Sequence, residues 1–280
     1  MKKRQELFKK IGIVGLGLMG GSIALAAKKY KISQECLGVA HSKETFKKAQ
    51  KYKIVDKVSR DFKILKDADL VILATPVETI KEIALLISKI IKKECIVTDV
   101  GSVKKEIVLK LEKILPNYVG SHPLAGSHHT GMDYADAKIF KDSLCIITPT
   151  AKTLSNSLSK IKKFWEVLGM HVVSMPAPLH DRILAYTSHL PHLIAFNMVY
   201  SLPCGYLKYS APSFKEMTRV ALSSPRLWQD IFINNRKEII MSLKMFTANL
   251  SILEKILIKK DIAKLGLFLK KSQEKRTKLL

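Results

Sequence analysis

The chain has 280 residues, 47% hydrophobic and 26% charged, which is ordinary globular usage and enough chain for two domains; it excludes a disordered chain, a collagen and a disulfide scaffold. The formal charge is +24, from 48 Lys+Arg against 24 Asp+Glu, yet only seven of the basic residues are arginine, the side chain whose planar fork suits phosphate and base recognition. The lysines are scattered over predicted helix faces with no aromatic-interleaved basic strip, so a solvated surface that draws in small polyanions is expected, and no nucleic-acid partner.

Two segments imitate membrane signals. The first is MKKRQELFKK with the apolar stretch behind it, ending in Ala24-Leu25-Ala26, but Gly12, Gly15, Gly17, Gly20 and Gly21 interrupt what a signal peptide keeps continuous. The second is 183–207, which carries no Asp, Glu, Lys or Arg but holds His189, Pro191, His192, Asn197, Pro203 and Gly205. It reads as a buried functional helix, and no membrane partner is expected. Cys36, Cys95, Cys145 and Cys204 lie far apart, without CxxC or Cys/His ligand spacing. They predict reduced, mostly buried thiols of a cytoplasmic protein and no metal site.

Strand candidates are 11–17, 36–40, 69–77, 95–101, 118–123, 144–149 and 171–175, with amphipathic stretches such as Glu78–Lys92 and Val103–Leu115 between several of them. Strands alternating with helices predict βαβ units and a largely parallel sheet covered on both faces. After Met175-Pro176-Ala177-Pro178 the pattern becomes helical, broken at 202–205, 211–213 and 223–225. The row Ile239, Ile240, Leu243, Phe246, Leu250, Leu253, Leu257 suits a helix packed on other helices. The expected fold is therefore an α/β Rossmann-type doubly wound domain over 1–176, then an all-α domain over 177–280. Its last residues, KKSQEKRTKLL, are expected to fray. No internal repeat is present.

Gly15-Leu16-Gly17-Leu18-Met19-Gly20 follows the first strand and opens the helical SIALAAKKY. In that context the first glycine permits the tight turn, the second lets a pyrophosphate approach the backbone, and the third lets helix pack on strand. The acid that binds a ribose 2′-hydroxyl belongs about 20 residues on, where this chain reads Val39-Ala40-His41-Ser42-Lys43. His41, Ser42 and Lys43 either contact a 2′-phosphate or form a solvated loop. The cofactor is thus NAD or NADP, with a modest lean to NADP.

Thr98-Asp99-Val100-Gly101-Ser102 and Gly120-Ser121-His122-Pro123 end two later strands, where doubly wound sheets bind ligands. His122, fixed between glycine and proline, is a candidate acid/base group. In the helical half, Ser188 and His192 stand at i, i+4 on one face. Arg219, read as lying on an apolar helix face, suits bidentate capture of a carboxylate, with Trp228 further on.

GLGLMGGS, LATPV, TDVGSVK, HPLAGS, HDRILAYTSHLPH and FKEMTRVALSSPRLW stand in that order over roughly 11–250, and in this the chain resembles the prephenate/arogenate dehydrogenases of tyrosine biosynthesis. The resemblance implies a Rossmann domain, a helical dimerisation domain and a homodimer. It implies that His122 accepts a hydrogen bond from the ring hydroxyl of the substrate and that Ser102 orients it. Arg219 would bind a substrate carboxylate, Ser188 and His192 would line the substrate pocket with Ser127, and Trp228 would lie near the substrate end. Thr75 and Pro76 would sit against the cofactor near its nicotinamide half, with Asp99 also on the cofactor side. Two segments depart from the family pattern: Tyr209-Ser210-Ala211-Pro212-Ser213 where glycines are usual, and Ser127-His128-His129 where many relatives carry an acid. Both leave the choice between prephenate and arogenate open. No chorismate mutase segment ahead of the first strand and no regulatory domain after the helices is expected. Two alternatives stand beside this reading. One is a short β-hydroxyacid dehydrogenase, for which the second half lacks the GxxxK-type helix; the other is a non-catalytic dinucleotide-sensing protein.

Overall fold

The computed structural model describes residues 6–127 and 129–279. Residues 1–5, His128 and Leu280, which enter the readings above, lie outside the described residues. Strands β1 (Phe8–Val14), β2 (Ser33–Val39), β3 (Lys57–Ser59), β4 (Leu70–Leu73), β5 (Ile96–Asp99), β6 (Tyr118–Pro123), β7 (Leu144–Thr148) and β8 (His171–Ser174) make one sheet in the order β3-β2-β1-β4-β5-β6-β7-β8. Every pairing through β6 is parallel. β7 then runs antiparallel to β6, with His122 opposite Ile146, and β8 runs parallel to β7. β3 has no signal in the sequence because Lys57-Val58-Ser59 contains no apolar run; it exists by laddering onto Leu37, Gly38 and Val39.

Helices α1 (Leu18–Lys29), α2 (Lys43–Tyr52), α3 (Val77–Ile87), α4 (Lys105–Leu111) and α5 (Ser155–Val167) cover the two faces. The central strands sort their side chains with period two. Ile11, Ile13, Leu70, Ile72 and Ile96 face a core shared with Ile23, Ala24 and Ala26 of α1 and Ile161, Phe164 and Trp165 of α5. Val14, Val71, Leu73 and Val97 face the opposite core, shared with Ile80, Ala84 and Ile87 of α3 and Ile107, Val108 and Leu111 of α4. Each fully buried Ile or Leu contributes about 1.5–3 kcal/mol, so this two-sided burial holds the strand order.

From Ala177 every described element is helical: α6 (Ala177–Leu184), a π turn over Ala185–His189, α7 (Leu190–Ser201), α8 (Pro212–Thr218) and α9 (Pro225–Asn234). α9 adds Trp228 and Ile231 to the second core, and everything through Asn235 forms one compact unit. A second compact unit, Arg236–Leu280, holds α10 (Arg236–Ile258) and α11 (Ile262–Thr277). The chain reverses between them at Lys260, in the left-handed region at φ 51°, and Asp261 caps α11 by accepting the Lys264 N–H. The C-terminal residues expected to fray are instead helical to Thr277. Among the described residues no helix is long and apolar enough to cross a membrane.

Candidate active site

Four helices, α1 to α4, start at the carboxyl edge of the sheet, and their first turns are capped differently, α2 by its own Ser42. α3 begins behind Pro76 and α4 behind Lys104, neither of which caps its helix with a side chain. Both helices are capped from far along the chain. Asp230 of α9 accepts the Val77 N–H at 3.1 Å, and Asp181 of α6 accepts the Lys104 and Lys105 N–H groups at 2.8 and 3.0 Å. α1 begins behind Gly17 with no side-chain cap and no acid in its first turn. Its N–H groups and positive dipole end remain available to an anion.

The loop feeding α1 is shaped for that ligand. Gly15 sits at φ +91°, and a Cβ there would strike the Ala74 carbonyl; a Cβ at Gly20 would overlap the Gly15 carbonyl oxygen. A Cβ at Gly17 would meet nothing within 4 Å, so the middle glycine fronts open space of the kind a pyrophosphate occupies. Leu16 is buried in the core, which limits its part to its backbone, while Leu18 and Met19 are half-buried. Beside Gly15, the Thr75 hydroxyl is buried without a hydrogen-bond partner, and the following Pro76 is exposed. An orphaned hydroxyl against an uncapped, glycine-lined helix start fits a dinucleotide.

Just past the end of β2, His41, Ser42 and Lys43 are exposed. Ser42 is not free for a phosphate, however, because its Oγ caps α2, accepting the Thr45 N–H at 3.0 Å and pairing with Thr45 Oγ1 at 2.9 Å. Asp99 also departs from its expected place on the cofactor side. It is fully buried, with one carboxylate oxygen taken by Lys104 Nζ and the Gly101 N–H and the other by the Tyr118 hydroxyl and the Ser121 N–H. Its side chain anchors the ends of β5 and β6 and presents nothing to a ligand.

His122, near the end of β6, is 8% exposed and belongs to a chain of hydrogen bonds that its own neighbourhood in sequence does not reveal. Its Nδ1 lies 2.8 Å from Nε2 of His180, whose Nδ1 lies 2.8 Å from Asp181 Oδ1. The pattern assigns the tautomers. The carboxylate accepts from His180 Nδ1–H, which leaves His180 Nε2 to accept from His122 Nδ1–H. His122 Nε2 is then an unprotonated acceptor. Burial first, then His180 and Lys104, hold His122 well below the usual histidine value, so it is neutral near pH 7. Asp181 is kept ionised by His180 and the two α4 amides, which outweigh its burial. His180 and Asp181 open the HDRILAYTSHLPH motif, where nothing in the sequence alone ties them to His122. Ser102 lies half-buried in the turn between β5 and α4, on the same sheet edge as His122, though no hydrogen bond joins the two.

The substrate-side candidates gather around Trp228. Its indole stacks on His192 at 3.6 Å between ring centroids and meets the edge of His189 at 6.1 Å. His192 Nδ1 donates to the Ser188 carbonyl at 2.9 Å, so Ser188 and His192 are linked through backbone across the π turn rather than by side chains on one regular helix face. His189 is held by Asn235, whose amide also donates to the Asp181 carbonyl. Burial lowers His189 to about 4. Burial also lowers His192, and the Arg219 guanidinium adds to that shift, which places the cation within electrostatic reach of the stack. Arg219 is exposed and opens a 3₁₀ turn at the end of α8, not an apolar helix face as expected. Ser127 is exposed and accepts the His129 N–H at 3.2 Å; no contact ties it to the other candidates. Among the described residues no cluster could hold a metal.

Residues 23–174 match the prephenate dehydrogenase nucleotide-binding domain, and residues 176–271 the prephenate dehydrogenase dimerization domain. The chain is 37% identical to the cyclohexadienyl dehydrogenase of Zymomonas mobilis over 284 residues, 98% of this chain and 97% of that one. The crystal structure of prephenate dehydrogenase from A. aeolicus in complex with hydroxyphenyl propionate and NAD+ matches with a TM-score of 0.92 at 33% identity, over 97% of this chain and 98% of that one. Synechocystis arogenate dehydrogenase matches at 0.85 and 26% identity, over 97% and 100%. Both halves of the chain match the same family, at identities well above those of a shared fold alone: this protein belongs to the prephenate dehydrogenase family of oxidoreductases.

Proposed function

We propose that the protein oxidises prephenate to 4-hydroxyphenylpyruvate with loss of carbon dioxide, in tyrosine biosynthesis, using NAD or NADP. The observation that carries this reading is the Asp181–His180–His122 chain, which ends in an imidazole nitrogen free to accept a proton. A nicotinamide held by the Gly15–Gly20 loop, with Thr75 and Pro76 beside it, would supply the acceptor for a hydride from the hydroxyl-bearing ring carbon. His122 Nε2 takes the hydroxyl proton at the same time, and the imidazolium so formed shares its charge through His180 with Asp181, deep in a buried site where such pairing is strong. Ser102 orients the hydroxyl. Arg219 binds a carboxylate beside the His192–Trp228 stack, with Ser188 and Ser127 completing the pocket. Loss of the ring carboxylate and aromatisation make the step effectively irreversible. The A. aeolicus relative holds a ligand with a hydroxyphenyl ring and a carboxylate, the two groups these roles require.

Arogenate, which differs by an amine, is the second reading, favoured by the likeness to the Synechocystis enzyme. The absence of a carboxylate at Val39-Ala40-His41 supports a modest preference for NADP. In this reading residues 1–176 carry the cofactor, and 177–280 carry the substrate pocket and a homodimer interface. Ile240, Met241, Met245, Leu250 and Leu257 of α10 are exposed in the single chain, apolar surface that an association between copies would cover. Four free cysteines, three of them buried, accord with a cytoplasmic enzyme. The test is kcat/KM for prephenate and arogenate with each cofactor. Turnover of prephenate, modestly better with NADP, is expected; an assay silent with both substrates beside measurable dinucleotide binding would favour a sensing role instead. Sedimentation at micromolar concentration should give twice the mass of one chain, and a clean monomer would remove the dimer from the proposal.

A further inference from the structure

We propose that Arg60 is the residue that recognises the 2′-phosphate of the cofactor, a role resting on the NADP preference inferred above. Arg60 is 21 residues from the end of β2 and carries no motif, but the sheet brings it there. Val39 pairs with Ser59, and the Ala40 N–H donates to the Ser59 carbonyl at 3.0 Å. Residue 60 therefore leaves β3 beside residue 41. The Arg60 Nε–H donates to the His41 carbonyl at 3.3 Å, which lays the guanidinium along the loop where an NAD-binding site places its carboxylate. Its terminal Nη groups donate to no described residue. The nearby acids are engaged elsewhere: Glu44 pairs with Lys48 at 3.2 Å, and the Asp61 carboxylate accepts the Lys63 N–H at 2.9 Å.

The alternatives within the loop are weaker. Ser42 spends its hydroxyl on capping α2. Lys43, the first residue of α2, is exposed and offers a point charge on a flexible stem, whereas Arg60 offers a planar fork already tethered at one end, so less freedom is lost on gripping a phosphate. The loop thus holds a pre-oriented guanidinium with open donors and no competing carboxylate at the one position that distinguishes the two cofactors.

The experiment compares adenosine 5′-monophosphate with adenosine 2′,5′-bisphosphate, which differ only in the 2′-phosphate, by calorimetric titration of the full chain. The wild type is expected to bind the bisphosphate about tenfold more tightly, as one or two charge-assisted hydrogen bonds provide. Arg60→Ala should bring the ratio close to parity, and Arg60→Lys should leave an intermediate value. Arg60 is exposed, and an unchanged melting temperature checks that the variant folds. A ratio that survives Arg60→Ala but collapses in Lys43→Ala overturns the assignment while leaving the NADP reading intact. A wild type that does not distinguish the two nucleotides defeats the NADP reading itself and the assignment with it.

Discussion

A proton arriving at His122 Nε2 has a route for its charge, because the imidazole's other nitrogen is committed to His180 and through it to Asp181. His122→Asn should therefore keep the fold and the cofactor affinity and lower kcat by about 10²–10⁴-fold, the range of general acid–base catalysis; near-normal kcat would place the base elsewhere. Arg219 lies at the other end of the candidate site, exposed and near the His192–Trp228 stack. Removing its charge-assisted bonds in Arg219→Ala should raise KM about tenfold or more while leaving kcat largely in place, and a loss confined to kcat would refute its role as a carboxylate ligand. His122 was legible in the sequence because glycine and proline fix it at a strand end. Its partner was not, since His180 lies 58 residues away and only the docking of α6 against the start of α4 brings them together. Asp99 was misread for the related reason that a strand-end acid looks alike whether it faces a ligand or a buried lysine.

Elements whose signal is local were readable. The apolar run Leu70-Val71-Ile72-Leu73 that marks β4 and the glycine spacing ahead of α1 both lie within a few consecutive residues. What was not readable depends on distant chain: β3 exists only as a ladder on β2, and the caps of α3 and α4 come from Asp230 and Asp181. The π turn over Ala185–His189 also escaped, since apolar spacing does not distinguish a turn holding one extra residue. The glycine loop yields a paired prediction. Gly20→Ala forces a Cβ onto the Gly15 carbonyl, a backbone clash that should cost about 1–3 kcal/mol of stability and lower the melting temperature. Gly17→Ala, facing open space, should melt with the wild type yet bind a dinucleotide at least about tenfold more weakly, because a methyl group then stands where the phosphates approach. If Gly17→Ala binds normally, the uncapped end of α1 is not the phosphate site.

Across the molecule, three buried histidines among the described residues set the response to acid. His122, His180 and His189 are all held below the ordinary value, chiefly by burial, with His189 at about 4. In the unfolded chain they take up protons near the ordinary value of about 6.5. Between those limits the unfolded state binds more protons than the folded one, so stability is complete above about pH 6.5 and is lost as the pH falls toward 4, His189 alone accounting for about 3 kcal/mol. Asp181, held below its ordinary value, adds a further loss only at lower pH. Thermal unfolding followed from pH 7.5 to 4.5 should show this decline, and a flat profile would mean that these imidazoles are not neutral in the folded protein.

Lys104 is the sole lysine or arginine among the described residues that is buried, so nearly all of the +24 surplus is displayed to solvent. Ions crowd such a surface and shorten its reach to about 8 Å at physiological ionic strength. At lower salt the same charge pulls anionic metabolites inward over several molecular diameters of water, and the frequency of productive collisions rises with it. Added potassium chloride should then slow capture of a doubly charged carboxylate far more than turnover once it is bound, and the speed of this enzyme in a cell becomes partly a property of the cell's salt.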